Sequence, residues 1–387
     1  MMARDTCTNV PRNPVSRRRN CGRGVLGFGL VELMIALALG LVIILGITTL
    51  FTDSSRTLGD ISRAGRQLEN SLFALDLLAG ELALVGYWGE ADYPLVADEP
   101  TFGPLRASET DGVTVAGFPM PPGVCVGTGG SGFDPRVELG WAMEYPLMAG
   151  LGTELDAALS SSACSGASAS TPSAAEEFIV IRRASTCATG SSALAAANNC
   201  PEMGNFFHMQ VNGCYDPNDN LSGGELKLHR VTEATADSLL DYRGFSCDSE
   251  IAPIYRYVAR IYYVNQQDQL IRLQLEESGH YEQQVLAEGV EALRFEWLID
   301  RSGDGDYDVI QSAADSGWSP AMRATDWQNV VGAKIWMVVR SSMPQPGYTD
   351  ANVYSLPGQS WTNDEPGYTR LLRSRAVDLV NIAGRRR

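Results

Sequence analysis

A chain of 387 residues with 46 acidic and 30 basic side chains carries a net charge of −16 at neutral pH. That balance argues against a nucleic-acid or anionic-membrane-surface binder, because counterion release needs clustered Lys and Arg. Three histidines and no C-x-x-C pair leave little from which to build a zinc centre or a Ser-His-Asp site.

The first 27 residues carry Arg17, Arg18, Arg19 and Arg23 just ahead of an apolar run. That run, Phe28–Phe51, has a single ionisable group, Glu32. At about 1.5 Å per helical residue it reaches roughly 36 Å, enough to cross a bilayer core of about 30 Å. The arginines hold residues 1–27 in the cytoplasm, so everything after Phe51 is exported. A cleaved secretory signal has a shorter apolar core and a small-residue cleavage site behind it, and no such site follows here. A twin-arginine export signal fails on the same point. A plain membrane anchor explains the hydropathy but not Glu32, since a carboxylate in an apolar helix costs about 2.5–3.5 kcal/mol by insertion scales.

From Thr52 to about Gly86 the helix is expected to continue with a changed character. Leu58, Ile61, Leu68, Leu72, Leu75, Ala79 and Leu82 recur at three- and four-residue intervals, while Asp60, Arg63, Arg66, Glu69 and Asp76 fill the other faces. Such a stripe packs on the protein's own sheet or on a neighbouring helix. Gly86 and Gly89 suit a turn out of the helix, because glycine accepts positive φ at a helix C-terminus.

Beyond the helix the sequence reads as strands separated by long loops. Short β-like runs fall at 112–116, 178–182, 206–211, 225–231, 294–299 and 333–340. Tyr255–Val264 and Gln269–Leu275, joined by Asn265-Gln266-Gln267-Asp268, predict a hairpin. Thr369–Asn381 reads as a last strand or a short helix. Residues 119–175 shift to Gly, Ser, Ala and Pro, the composition of a long insertion. The fold class is therefore α+β: a long N-terminal helix on a β-rich head with disulfide-pinned loops.

Cys7 and Cys21 precede the apolar run; Cys125, Cys164, Cys187, Cys200, Cys214 and Cys247 follow it. Six cysteines in an oxidising compartment imply up to three disulfides, with 15 possible pairings. Cys125 and Cys164 suit a clamp on the insertion.

Little else carries chemistry. Gly127–Gly132 lacks the Lys-Ser/Thr of a phosphate-binding loop, no G-x-S-x-G elbow occurs, and nothing supports an enzyme or a required cofactor. One polar constellation stands out. Asp300, Ser302, Asp304, Asp306 and Asp308 alternate along the chain, with Gly305 at the sixth place, as in an EF-hand-type Ca²⁺ loop. Position twelve is Gln311 rather than a bidentate Glu, and no helix pair flanks it, so a solvated acidic turn is the competing reading. Asp216–Asn220 is a second acidic turn.

Gly27-Phe28-Gly29-Leu30-Val31-Glu32-Leu33-Met34-Ile35-Ala36 resembles the processing site of type IV prepilins and type II secretion pseudopilins. The resemblance implies that a prepilin peptidase cuts between Gly27 and Phe28 and that the new amine of Phe28 is N-methylated. It also implies that Glu32 pairs with the N-terminus of a neighbouring subunit. Losing residues 1–27 removes six Arg and one Asp, which takes the net charge from −16 to about −21. Val85-Gly86-Tyr87-Trp88-Gly89, the Asp300–Asp308 loop, Asn329-Val330-Val331 leading to Arg340-Ser341, and the stretch from Tyr368 to Ile382 resemble the PilW-like minor pilins.

The resemblance divides the chain into leader 1–27, helical spine 28–90 with 28–51 in the membrane before assembly, and exported head 91–387. It implies a minor pilin that primes pilus assembly at or near the tip. Its partners would be other minor pilins, the major pilin, the prepilin peptidase, the inner-membrane assembly platform and a tip adhesin. A type II secretion pseudopilin and a membrane-stalked adhesin are the alternatives.

Overall fold

The computed structural model describes residues 29–89, 124–125, 145–160, 164, 169–188, 200, 204–214, 226–231, 240–244, 246–247, 251–277, 280–345, 347–363 and 365–383. The chain divides into two compact units at Ser62/Arg63. One helix, α1 (Leu30–Ala83, 54 residues), runs through both.

In the first unit, every large apolar side chain from Leu30 to Phe51 is more than half exposed. The helix is long and apolar enough to cross a membrane. Its threonines satisfy themselves locally: Thr48 Oγ1 donates to the Ile44 carbonyl at 2.7 Å and Thr49 Oγ1 to that of Gly46 at 2.9 Å. Such back-bonding lets a hydroxyl sit in an apolar span.

In the second unit, α1 buries Gln67, Ser71, Ala74, Leu75, Leu78, Ala79 and Leu82. The expected stripe is therefore rotated. Leu75, Ala79 and Leu82 face the core, whereas Leu68 and Leu72 are 38% and 48% exposed. The small side chains Ser71, Ala74 and Ala79 share the buried face with Leu75, Leu78 and Leu82. Gln67 is kept there by hydrogen bonds, its Nε2 donating to the carbonyls of Val339 (2.6 Å) and Thr369 (3.0 Å). Leu58 and Ile61 belong to the first unit and are exposed.

The head contains an antiparallel seven-stranded sheet among the described residues. Its strands are β1 (Leu147–Leu151), β2 (Glu177–Ala188), β3 (Phe206–Val211), β4 (Leu226–Val231), β5 (Ile254–Val264), β6 (Gln269–Leu275) and β7 (Tyr281–Glu288). The order is β1-β2-β5-β3-β4, with β6 also pairing β5 and β7 beyond it. A four-stranded sheet runs β13-β10-β8-β9, from β8 (Val290–Ile299), β9 (Val309–Gln311), β10 (Val330–Arg340) and β13 (Arg370–Asp378). β11 (Tyr354–Leu356) and β12 (Gln359–Trp361) form a small hairpin.

Alternation splits the larger sheet into two buried faces. Ile179, Ile181, Tyr262 and Val264 join Leu78 and Leu82 of α1 and Phe295, Trp297, Ile335 and Met337 of the second sheet in one core. Phe178, Val180, Tyr257, Ile261 and Tyr263 join Trp88, Leu273 and Tyr281 in another.

The predicted strands at 178–182, 206–211, 255–264, 269–275, 294–299 and 333–340 lie within observed ones, and the run predicted at 225–231 is observed over Leu226–Val231, with Glu225 outside the described residues. The expected run at 112–116 lies outside the described residues. Thr369–Asn381 is both of its alternatives, since β13 is followed by a short helix at Val380–Ala383. The 119–175 segment is less of an insertion than its composition suggested. β1 pairs with β2 along its whole length, and Leu155 in the helix Gly152–Leu159 is fully buried.

The six head cysteines pair in sequence order: Cys125–Cys164, Cys187–Cys200 and Cys214–Cys247, with Cα–Cα separations of 5.2, 5.7 and 4.8 Å. Loop closure of this size stabilises by roughly 3–4 kcal/mol per bridge in the chain-entropy account.

Candidate functional site

Glu32 lies in the first turn of α1, on the exposed surface of the first unit, and no described side chain pairs with it. A carboxylate at this place is favoured by the positive end of the helix dipole. The predicted cleavage and methylation positions, Gly27 and Phe28, lie outside the described residues.

Where α1 ends, the chain turns as the sequence predicted. Gly86 and Gly89 adopt φ of 71° and 70°. A Cβ on Gly89 would stand 2.6 Å from the Tyr255 ring, so both the conformation and the space require glycine there. Gly86 N–H donates to the Arg182 carbonyl (3.1 Å), and Tyr87 accepts from Ala184 N–H (2.6 Å), which stitches the turn to β2. Trp88 then stacks on Tyr257, 6.3 Å between centroids at an interplanar angle of 4°.

Polar groups that sequence reasoning missed lock this junction. Glu81 accepts from Arg183 Nη2 (3.2 Å) and from Arg260 Nη1, so one carboxylate holds guanidinium groups from two adjacent strands. Asn381 Nδ2 donates to the carbonyls of Ala83 (3.2 Å) and Val85 (3.3 Å). A lone Glu inside Leu77–Val85 and an arginine pair breaking the apolar run of β2 were the available signals.

The acidic loop is built around its own backbone. Asp300 is fully buried; it accepts from Ser302 Oγ (3.2 Å), Gly303 N–H (2.6 Å) and Gly305 N–H (3.0 Å). Asp308 Oδ2 accepts from the N–H groups of Arg301 and Ser302, both at 2.8 Å, and Asp304 Oδ1 from Asp306 N–H at 2.9 Å. Gly303 and Gly305 supply the positive φ the tight loop needs, 80° and 95°. Arg301 forks onto Asp326 at 3.0 and 2.7 Å, and Asp326 also accepts from Trp318 Nε1 at 2.8 Å. The donor set is all oxygen, as a hard divalent cation requires. Asp304, Ser302, Asp306 and Asp308 are exposed, and the carboxylates of this loop do not form a set of three within 4.8 Å of one another.

The described residues that do form such a set are Asp268, Glu291 and Glu365. Arginines already occupy it. Arg340 pairs with Asp268 (3.1 Å) and Glu365 (2.7 Å), and Arg370 forks onto Glu291 at 2.6 and 3.0 Å.

Residues 261–381, from the second half of β5 through β13 to Asn381, match the family of type IV pilus-assembly protein W. That PilW-like stretch is 121 of the 387 residues. The matched part contains the Asp300–Asp308 loop, β10, β13 and the capping Asn381, whereas α1 and the three disulfides lie outside it. The chain is also similar to a type IV-like pilin, TTHA1219 from Thermus thermophilus. That likeness is 18% identical, covers 33% of this chain and 70% of the other, and has a TM-score of 0.22. No curated protein matches the chain.

Proposed function

We propose that the chain is a minor pilin that primes type IV pilus assembly at or near the fibre tip, a structural subunit rather than an enzyme. The observation that carries this reading is α1. It is a single 54-residue helix whose first unit exposes its apolar side chains while its last turns are locked into the head. An apolar surface of that extent must be covered by lipid or by other helices.

Before assembly the helix spans the inner membrane once, with the head in the periplasm. The prepilin peptidase cuts between Gly27 and Phe28, and Phe28 is methylated. In the fibre, Glu32 meets the terminal amine of a neighbouring major or minor pilin. The two charges, desolvated among helices, favour one stagger over others. The assembly platform delivers the subunit, and the head contacts other minor pilins and a tip adhesin. Ca²⁺ binds the Asp300–Asp308 loop and steadies it.

Mass spectrometry of the N-terminus tests the processing: a methylated Phe28 is expected, and an intact leader refutes it. Glu32→Ala tests assembly. The variant is expected to insert in the membrane yet be missing from sheared fibres, and its normal incorporation would sink the pairing.

A further inference from the structure

The sheet face under α1 continues past the last helical turn. On β2, Ile179 and Ile181 lie under the helix, and Arg183 and Ser185 follow on the same side; on β5, Tyr262 gives way to Arg260, Val258 and Arg256. Where the helix stops, the face turns polar and a cavity of about 210 Å³ opens, lined by Arg183, Arg256, Arg260, Phe206, His208 and Gln274 among others. That is smaller than the roughly 300–1,000 Å³ of ordinary small-molecule sites and suits a single side chain.

Two of the three guanidinium groups are already engaged. Arg183 and Arg260 share Glu81, and Arg260 Nε also donates to Gln274 Oε1 at 2.8 Å. Arg256 is different. Its ion pair with Glu276 is 3.5 Å long, and its buried Nε–H has no acceptor. Its guanidinium carbon lies 3.2 Å from the centroid of the Phe206 ring, which holds the group in place. Burial pulls its pKa down, against attraction from Glu276 and, more weakly, Glu277, and with repulsion from Arg260. His208 adds no charge, because burial lowers its pKa to about 4. A partly buried cation, fixed on an aromatic ring and with its Nε–H short of an acceptor, is prepaid for a planar two-oxygen partner. Apolar Val258 and Leu275 in the same wall fit the methylenes that carry such a group.

We infer that this pocket receives a carboxylate side chain from an acidic segment of a protein partner, with Arg256 as its principal ligand. The pocket does so whether or not the chain enters a fibre, so its test does not depend on pilus assembly.

Saturation-transfer NMR on the full chain in detergent micelles reads this, with Ac-Gly-Glu-Gly-NH₂, Ac-Gly-Gln-Gly-NH₂ and inorganic phosphate as probes. Transfer to the Glu peptide and not to the Gln peptide is expected. Arg256→Gln should weaken it at least tenfold, and Arg256→Lys, which keeps the charge without the fork, by less. Equal transfer to both peptides overturns the inference, as does undiminished transfer in Arg256→Gln. Phosphate that displaces the Glu peptide at lower concentration makes this a phosphate site and overturns the peptide assignment. The thermal unfolding midpoint of each variant is measured alongside; if Arg256→Gln fails to fold, Arg256→Lys decides.

Discussion

Asn381 donates its side-chain amide to the carbonyl of Ala83, the last residue of α1, at 3.2 Å. The last helix of the described chain thereby closes the first. Helix C-termini leave carbonyls without intrahelical donors, and here a residue 298 positions away supplies one. Asn381→Ala is expected to cost about 1–2 kcal/mol through the orphaned carbonyls. Urea unfolding of the head, followed by tryptophan fluorescence, measures it; an unchanged midpoint would mean that water replaces the amide.

Gly89 and Gly80 make a matched pair. Gly89→Ala is expected to destabilise by about 2 kcal/mol or more, because its φ is +70° and the added carbon meets the Tyr255 ring at 2.6 Å. Gly80 lies inside α1 with nothing within 4 Å of an added Cβ. Gly80→Ala should stabilise by about 0.5–1 kcal/mol. The same denaturation assay reads both, and shifts of equal sign would refute the assignment of the turn.

Glu177 makes the head's stability depend on pH. It is fully buried where β2 meets the second sheet, accepting from Ser312 Oγ, Ala314 N–H (3.2 Å) and Phe295 N–H (3.3 Å). Burial raises its pKa from 4.5 to about 7, against the hydrogen bonds and the attraction of Arg294. Below pH 4.5 the carboxyl is protonated in both states. Between 4.5 and about 7 the unfolded chain releases a proton that the folded chain keeps, so this contribution to stability is lost as pH rises and levels off above 7. The swing is on the order of 3 kcal/mol. Glu176 next to it, also raised by burial, acts in the same direction. Glu177→Gln should flatten the slope of stability between pH 5 and 8, and an unaltered slope would assign it to other groups.

Calcium binding at Asp300–Asp308 is read by calorimetry on the full chain in detergent. Heat on adding Ca²⁺ that disappears in Asp304→Ala is the expected outcome. Asp304 is an exposed member of the loop, so its loss leaves the buried Asp300 cap in place. Absence of heat in the unmodified chain would leave the loop a self-satisfied turn.

Much of this fold was legible because its strongest signals are local. A 54-residue helix, a hairpin at Asn265–Asp268 and the Gly86–Gly89 turn each follow from period or backbone demand within a short window. β1, Leu-Met-Ala-Gly-Leu, has no polar partner positions and only acquires its state by pairing with β2. β7, Tyr-Glu-Gln-Gln-Val-Leu-Ala-Glu, is rich in helix-forming residues, and its pairing with β6 overrides them. The buried helix face departs from the leucine stripe at Leu68 and Leu72, because Gln67, Ser71 and Ala74 take the sheet-facing positions, and the bonds that hold Gln67 there come from residues 272 and 302 positions away. The Glu81, Arg183 and Arg260 cluster and the Asn381 cap depend on contacts between distant residues, which no spacing rule encodes.

The family match begins at Ile261, in the middle of β5. Upstream of that point β5 pairs with β3; downstream it pairs with β6; and β2 runs alongside both halves. The start of the matched stretch thus falls inside one continuous sheet. Cutting out residues 90–250 would not unplug an accessory: it would strip β1, β2, β3 and β4 from the sheet and take Ile179 and Ile181 out of the core. Any exchange of sequence in this head would have to respect the β2–β5 register and be confined to the connections between strands.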